Sequence, residues 1–205
     1  MNTMNINNIK VNVKIGNVAT ENVDCIVVPE FNSCASYGGV GAAIASFGME
    51  AGLEAYDKVA TNKPFNYGDV LITESGKSGV KLAHVATAGA RDDEQFGTVL
   101  KAMFQVLVSA NSLGLKTIAV PEIGTGIIGT LTPEQSAKAI FSAVAKFTVV
   151  FPEARVEELT LVVYRGSTAP AEKVLSDRSY IDVKNECGKK EFNLAEWLHG
   201  MGLLG

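Results

Sequence analysis

The sequence predicts a three-layer α/β/α domain with a central mixed, largely parallel sheet. Three observations carry this expectation. Short apolar runs alternate with stretches of helical periodicity, the pattern of strands joined by crossover helices. Two of those runs are followed by glycine-rich loops that lead into helices. The 205 residues are 47% hydrophobic and 20% charged, enough apolar material for the core of one domain and no case for disorder.

Taken in order, Val11 to Ile15 alternates apolar and polar residues, as a half-buried strand does. Asp24 to Val28 is short and almost wholly apolar, the mark of a strand in the middle of a sheet. A glycine-bearing loop runs from Pro29 to Gly41. Ala42 to Tyr56 reads as a helix, with Ile44, Phe47, Ala51 and Leu53 at roughly helical spacing and Gly48 and Gly52 weakening it. Asp69 to Thr73 is the next strand, Ser75 to Gly79 is turn chemistry, and Lys81 to Thr87 is a further strand. Gln95 to Leu113 is an amphipathic helix with Val99, Met103, Val106, Leu107 and Ala110 on one face, closed by Gly114.

Thr117 to Val120 repeats the buried-strand pattern, and a second glycine-rich loop follows from Gly124 to Gly129. Thr132 then caps a helix: Pro133 suits its first turn and Gln135 completes a capping box. That helix is expected to reach about Phe147, with Ala139, Ile140, Ala143, Val144 and Phe147 inward. Glu158 to Tyr164 is a strand and Pro170 to Leu175 a short helix. The domain is expected to span residues 1–176. Residues 177–205 read as a C-terminal extension packed on it, with Leu194, Trp197, Leu198 and Met201 on one helical face; a partner surface is the alternative.

A net charge of −4 and a pI near 5.3 give no general attraction for a polyanion. The densest basic pair, Lys189 and Lys190, lies beside Glu186 and Glu191, so direct nucleic-acid binding is not expected. A small anion is still admissible, because main-chain amides bind phosphate without lysine. Cys25, Cys34 and Cys187 are an odd set without CxxC spacing, against a disulfide framework or structural zinc. His84 and His199 are far apart, so no metal and no cofactor are expected. No run reaches the roughly 18 apolar residues of a membrane span. The Asn-rich stretch from Met1 to Lys10 has no apolar signal core, and a soluble cytoplasmic protein is expected.

In open α/β sheets, ligands sit beyond the carboxyl ends of strands. Both glycine-rich loops follow strands. Tyr37-Gly-Gly-Val-Gly41 stands directly before a helix, and Gly124-Thr-Gly-Ile-Ile-Gly129 shortly before the helix capped by Thr132. Glycines let a backbone approach a ligand closely, and helix starts carry unpaired amides. Two such loops on one edge would grip two adjacent phosphates from both sides. Neither has the lysine of the P-loop pattern, which excludes the usual NTPase cradle. The second spells G-x-G-x-x-G without the acidic residue about 20 positions on that a dinucleotide fingerprint needs.

At these two loops the chain resembles the macro domain family, over roughly Val11 to Leu175. Asp24-Cys-Ile-Val-Val-Pro-Glu-Phe-Asn32 with Gly38-Gly-Val-Gly-Ala-Ala-Ile44 is similar to the family's "D-x-I-V-N-A-A-N … G-G-V-D-G-A-I". Pro121-Glu-Ile-Gly-Thr-Gly-Ile-Ile-Gly129 is similar to its "P-x-I-S-T-G-x-x-G", Leu82-Ala-His-Val85 to its "V-I-H-x-V", and Val162-Val-Tyr164 to its last core strand. The resemblance implies binding of ADP-ribose or a related nucleotide, free or attached to a macromolecule. It places Gly38, Gly39, Val40, Gly41 and Ala42 along the diphosphate and distal ribose. It closes Gly124, Thr125, Gly126, Ile127, Ile128 and Gly129 over the diphosphate from the other side. Tyr164 would stack on adenine, Asn17 and Val18 would stand beside the base, and Asn32 would contact the distal ribose.

The departures are specific. Pro29 replaces the first asparagine of N-A-A-N, Asn17 replaces an adenine-binding aspartate, and the segment from Asn32 to Val40 is one residue short. Gly41 stands where one hydrolytic branch carries an aspartate, leaving no general base at that position. Asn32 is then the residue to which a hydrolytic role would fall. Glu30 and Glu122 are the carboxylates nearest the loops and the candidate surrogate bases. His84 reads as a hydrogen-bonded core histidine. Three functions stay open, in this order: binding of ADP-ribose or a derivative, hydrolysis at its distal ribose, and a structural module without ligand.

Overall fold

A computed structural model describes residues 2–183 together with Ala195 and His199. The chain folds through β1 (Asn2–Ile6), β2 (Ile9–Ile15), a 3-10 turn (Val18–Thr20), β3 (Cys25–Phe31), α1 (Val40–Ser46), α2 (Glu50–Asn62), β4 (Val70–Glu74) and β5 (Lys81–Ala88). It continues through α3 (Gln95–Leu113), β6 (Thr117–Pro121), α4 (Pro133–Val150), β7 (Glu158–Val163) and α5 (Ala169–Asp177). The seven strands form one sheet in the order β1-β2-β7-β6-β3-β5-β4. Strands β2, β7, β6, β3 and β5 run parallel, and β1 and β4 pair antiparallel at the two edges. The expected three-layer, largely parallel architecture is present.

The layers follow from side-chain alternation along buried strands. Cys25 and Val27 face one core with Phe104, Phe141 and Phe147 of α3 and α4. Ile26 and Val28 face the other, with Ile44, Leu53 and Tyr56 of α1 and α2. Helix α5 closes the first core through Val174 and Leu175, and the packed chain continues past it: Tyr180 and Val183 are buried there, with Tyr180 edge-on to Phe141.

Four sequence expectations change. The Asn-rich start is an edge strand, turned at Asn7, whose φ of 52° is one asparagine tolerates. The strand starting near Asp24 runs on to Phe31, so the loop begins at Asn32 rather than Pro29. Pro29 is admitted because β6 pairs β3 only at Cys25 and Ile26; at Pro29 the strand has a partner on one side alone. The single helix expected over Ala42 to Tyr56 is two helices. Gly48, at a φ of 77°, ends the first, and α2 runs on to Asn62. Helix α4 extends to Val150. The helix expected around Leu194, Trp197, Leu198 and Met201 lies outside the described residues.

Two junctions position the site. Asp24 accepts hydrogen bonds from the amides of Lys116 (2.7 Å) and Thr117 (2.9 Å), and its own amide donates to the Thr117 hydroxyl. This ties the starts of β3 and β6 together. Beyond Ile26 the two strands part, and their carboxyl ends stand apart around a cleft. On the other side, the β3–β5 register shifts between Glu30 and Phe31, so that Phe31 pairs with Ala88 and Thr87 is the extra residue.

Candidate functional site

The cleft has two chambers, of about 540 and 680 Å³, within the range of small-molecule sites. Gly39, Val40, Glu122 and Gly126 line both and form the neck between them. The first chamber lies between Tyr37 and Gly38 on one side and Gly124 and Ile127 to Gly129 on the other, over Phe31 and Ala88. The second is bounded by Asn17, Val18, Phe47, Val162, Tyr164 and Arg165. The two glycine-rich loops therefore meet across one cleft beyond the carboxyl ends of β3 and β6.

Sequence chemistry fixes both loops. A Cβ on Gly41 would stand 1.6 Å from the Ser36 carbonyl oxygen, and one on Gly129 would stand 2.0 Å from the Gly124 carbonyl oxygen. Both positions are closed to any side chain. Gly38, Gly39 and Gly126 face open space. The loops are tightened by Gly41 N–H to Gly38 O, Gly129 N–H to Gly126 O and Leu131 N–H to Gly124 O. That leaves the amides of Gly39, Val40 and Ala42 in the first loop without an acceptor among the described residues. Thr125, Gly126, Ile127 and Ile128 in the second are in the same state. Unpaired amides from two chain segments at one neck make an anion-binding concavity without a charged side chain.

Most of the anticipated site residues line the cleft. Gly41, Asn32 and Glu30 do not. Gly41 lies behind the first loop against Ser36. Asn32 donates its amide to the Phe65 carbonyl (3.3 Å), while Phe65 N–H donates to Asn32 O. One of its amide hydrogens thus ties the loop to the segment after α2. Glu30 is wholly buried: its carboxylate accepts from the Ser36 amide and bonds His84 Nδ1 at 3.0 Å. His84 Nε2 meets the Thr73 hydroxyl at 2.9 Å, and its ring stacks on Tyr56 at 4.8 Å. Burial pushes the Glu30 carboxyl above its ordinary range, against the bonds from His84 and Ser36. Glu30 is thus a structural clamp under the loop, and His84 the core histidine expected.

Glu122 is the carboxylate the cleft does contain. It is half-buried, its side chain has no hydrogen-bond or ion-pair partner among the described residues, and burial alone raises its pKa. In the second chamber, Asn17 accepts from Ala19 N–H (3.0 Å) as the cap of the 3-10 turn, leaving its amide group free to donate. Tyr164 is 62% exposed and carries the Arg165 guanidinium over its ring, 5.0 Å from the centroid. Arg165 was not anticipated, although a cation adjacent to the expected stacking aromatic was the available signal. Phe47 and Gln95 were also missed; nothing local distinguishes them from core residues.

Among the described residues no group of three or more His, Cys, Asp or Glu is disposed to hold a metal. No described helix is long and apolar enough to cross a membrane.

A Macro domain family model matches residues 27–140 of the chain. Among curated proteins, an uncharacterized protein of Thermotoga maritima is 29% identical over 159 residues, covering 74% of this chain and 26% of its own length. An uncharacterized protein of Pyrobaculum aerophilum is 32% identical over 130 residues, covering 61% of this chain and 71% of its own. The chain thus spans about a quarter of the Thermotoga relative. Among solved structures, the Oceanobacillus iheyensis macrodomain with ADP superposes with a TM-score of 0.72 at 19% identity, over 86% of this chain and 95% of that one. The Trypanosoma brucei macrodomain in complex with ADP-ribose gives 0.68 at 19%, over 80% of this chain and 68% of that one. At such identities the likeness is one of fold.

Proposed function

The chain belongs to the macro domain family, and from that premise we propose that its cleft binds ADP-ribose or an ADP-ribose derivative, free or attached to a macromolecule. The diphosphate lies at the neck, held by main-chain amides of the two loops, with adenosine in the chamber of Tyr164. The observation that carries this reading is the meeting of two sets of unpaired amides, those of Gly39, Val40 and Ala42 and those of Thr125 to Ile128, across one neck between two ligand-sized chambers. Tyr164 supplies a π face for the base, with Arg165 on one side of the ring.

Binding is favoured over turnover by three features. The Glu30 carboxylate is committed to His84 and Ser36, Asn32 stands outside the lining with its amide on the Phe65 carbonyl, and position 41 admits no side chain. Among the described residues, Glu122 is the carboxylate in the cleft left to act as a general base at the distal sugar.

Titration calorimetry with ADP and ADP-ribose tests the reading, with Gly126→Val as the control. A Cβ at Gly126 meets nothing within 4 Å and its φ is not left-handed, so the variant is expected to fold. Its side chain fills the neck, and nucleotide affinity is expected to drop at least tenfold, about 1.4 kcal/mol. Wild-type affinity in a folded Gly126→Val protein sinks the proposal.

A further inference from the structure

The chamber on the far side of the neck from Tyr164 is lined in a way that a free sugar does not suit. Resting on the nucleotide reading above, we infer that the preferred ligand is an adenosine diphosphate carrying an apolar group where ADP-ribose carries its second ribose. Its apolar lining is Pro29, Phe31, Ala35, Val40 and Ala88, with the exposed Ile127 and Ile128 at its mouth. A ribose brings hydroxyls that leave water on entry and need new partners, and a buried hydroxyl without one costs affinity.

The polar side chains lining this chamber are mostly engaged already. Gln95 is buried; its amide donates to the Thr87 carbonyl (3.1 Å) and its oxygen accepts from the Thr130 hydroxyl (3.3 Å). The Thr87 hydroxyl is also buried and donates to the Val85 carbonyl (3.4 Å). Asn32, the side chain one would enlist to read a sugar, is turned to Phe65 and stands outside the lining. Pro29 presents a ring with no donor. Of the side chains, what is left is the Ser36 hydroxyl, the half-exposed Tyr37 at the rim, and Glu122 at the neck, shared with the adenosine chamber; the unpaired main-chain amides here are the ones assigned to the diphosphate. Glu122 when ionised only accepts, and it stands beside the phosphates rather than among the apolar walls.

The cause lies in strand β3 itself. Its extension to Phe31 and the register shift opposite Glu30 bring Phe31 and Ala88 side by side at the rim. Alternation sends Glu30 inward to His84 instead. Glu30 is thus withdrawn by the same strand that supplies the apolar wall. Transfer of an apolar substituent from water into such a chamber is favourable in proportion to the area it covers.

Calorimetry on the full chain with three ligands tests the inference: ADP, ADP-ribose and the cyclohexylmethyl ester of ADP on its terminal phosphate. The ester is expected to bind at least tenfold tighter than ADP, and ADP-ribose to gain less than threefold over ADP. A gain for ADP-ribose equal to or greater than that of the ester overturns the apolar assignment and leaves nucleotide binding intact. An ester no tighter than ADP overturns it equally. No heat from any of the three removes the nucleotide reading, and this inference with it.

Discussion

Glu122 is an acid placed where a diphosphate is proposed to sit. Burial raises its pKa, so the folded state favours the protonated form. A group whose pKa is raised on folding contributes stability that is complete at low pH and is lost as pH rises through the raised value. Glu122→Gln carries no such loss. It is expected to be at least as stable as wild type at neutral pH and indistinguishable from it in acid below the usual carboxyl range, read by urea unfolding at the two pH values. The ligand responds in the same direction: affinity for ADP-ribose should rise several-fold in Glu122→Gln at neutral pH, and wild-type affinity should rise as pH falls toward the Glu122 pKa. Calorimetry across pH checks both, and a weaker variant contradicts the placement of Glu122 beside the phosphates. Residues of this kind were only half legible. The glycines at 38, 39 and 126 and Tyr164 announce themselves by type and spacing. Glu30 was misplaced because a strand assumed to end at Val28 left it in a loop; Asn32 is in the loop, but its amide turns to the Phe65 carbonyl. Three more residues of pleat put Glu30 on the same face as Ile26 and Val28, under Tyr56, and sequence spacing gives no sign of where that pleat stops.

At the scale of elements, the signals that survived are those with local chemistry. Thr132 accepts from Gln135 N–H at 3.2 Å, and the Gln135 side chain accepts from Thr132 N–H at 3.0 Å, a closed capping box at the start of α4. Thr132→Ala is expected to cost about 1 kcal/mol, seen as a lower urea midpoint at unchanged slope. A loss under a few tenths would mean the box contributes nothing to α4. The boundary at Gly114, in a left-handed conformation at the end of α3, was equally readable. Gly48 was not: glycine inside an apolar period weakens a helix or ends it, and only its φ of 77° decides between them. Gly52 shows the other case. A Cβ there would meet Leu82 at 2.6 Å, so this glycine lets α2 settle close on β5 and stays inside the helix. Strand β1 escaped notice because its run Asn-Thr-Met-Asn-Ile has no apolar stripe of the usual density.

For the whole molecule, the order of strands was legible only as a class. Alternating strands and helices imply a parallel sheet with both faces covered, whereas the neighbours of each strand depend on long-range pairing that no window of sequence contains. With one sheet joining two cores, the chain should unfold in a single transition. ADP at a hundred times its dissociation constant should stabilise it by about 2.7 kcal/mol, raising the melting temperature by roughly 5–10 °C. A nucleotide that binds by calorimetry yet leaves the transition unmoved would place the site outside the cooperative unit. The Asp24 contacts to Lys116 and Thr117 bear on this as well. They fasten the bases of two strands whose tips carry the opposing loops, as the spring of a peg governs its jaws. The two strands are thus fixed to each other roughly 20 Å from the loops, at the far end of β3. A survey confined to the cleft lining would pass over the carboxylate that roots both of its jaws.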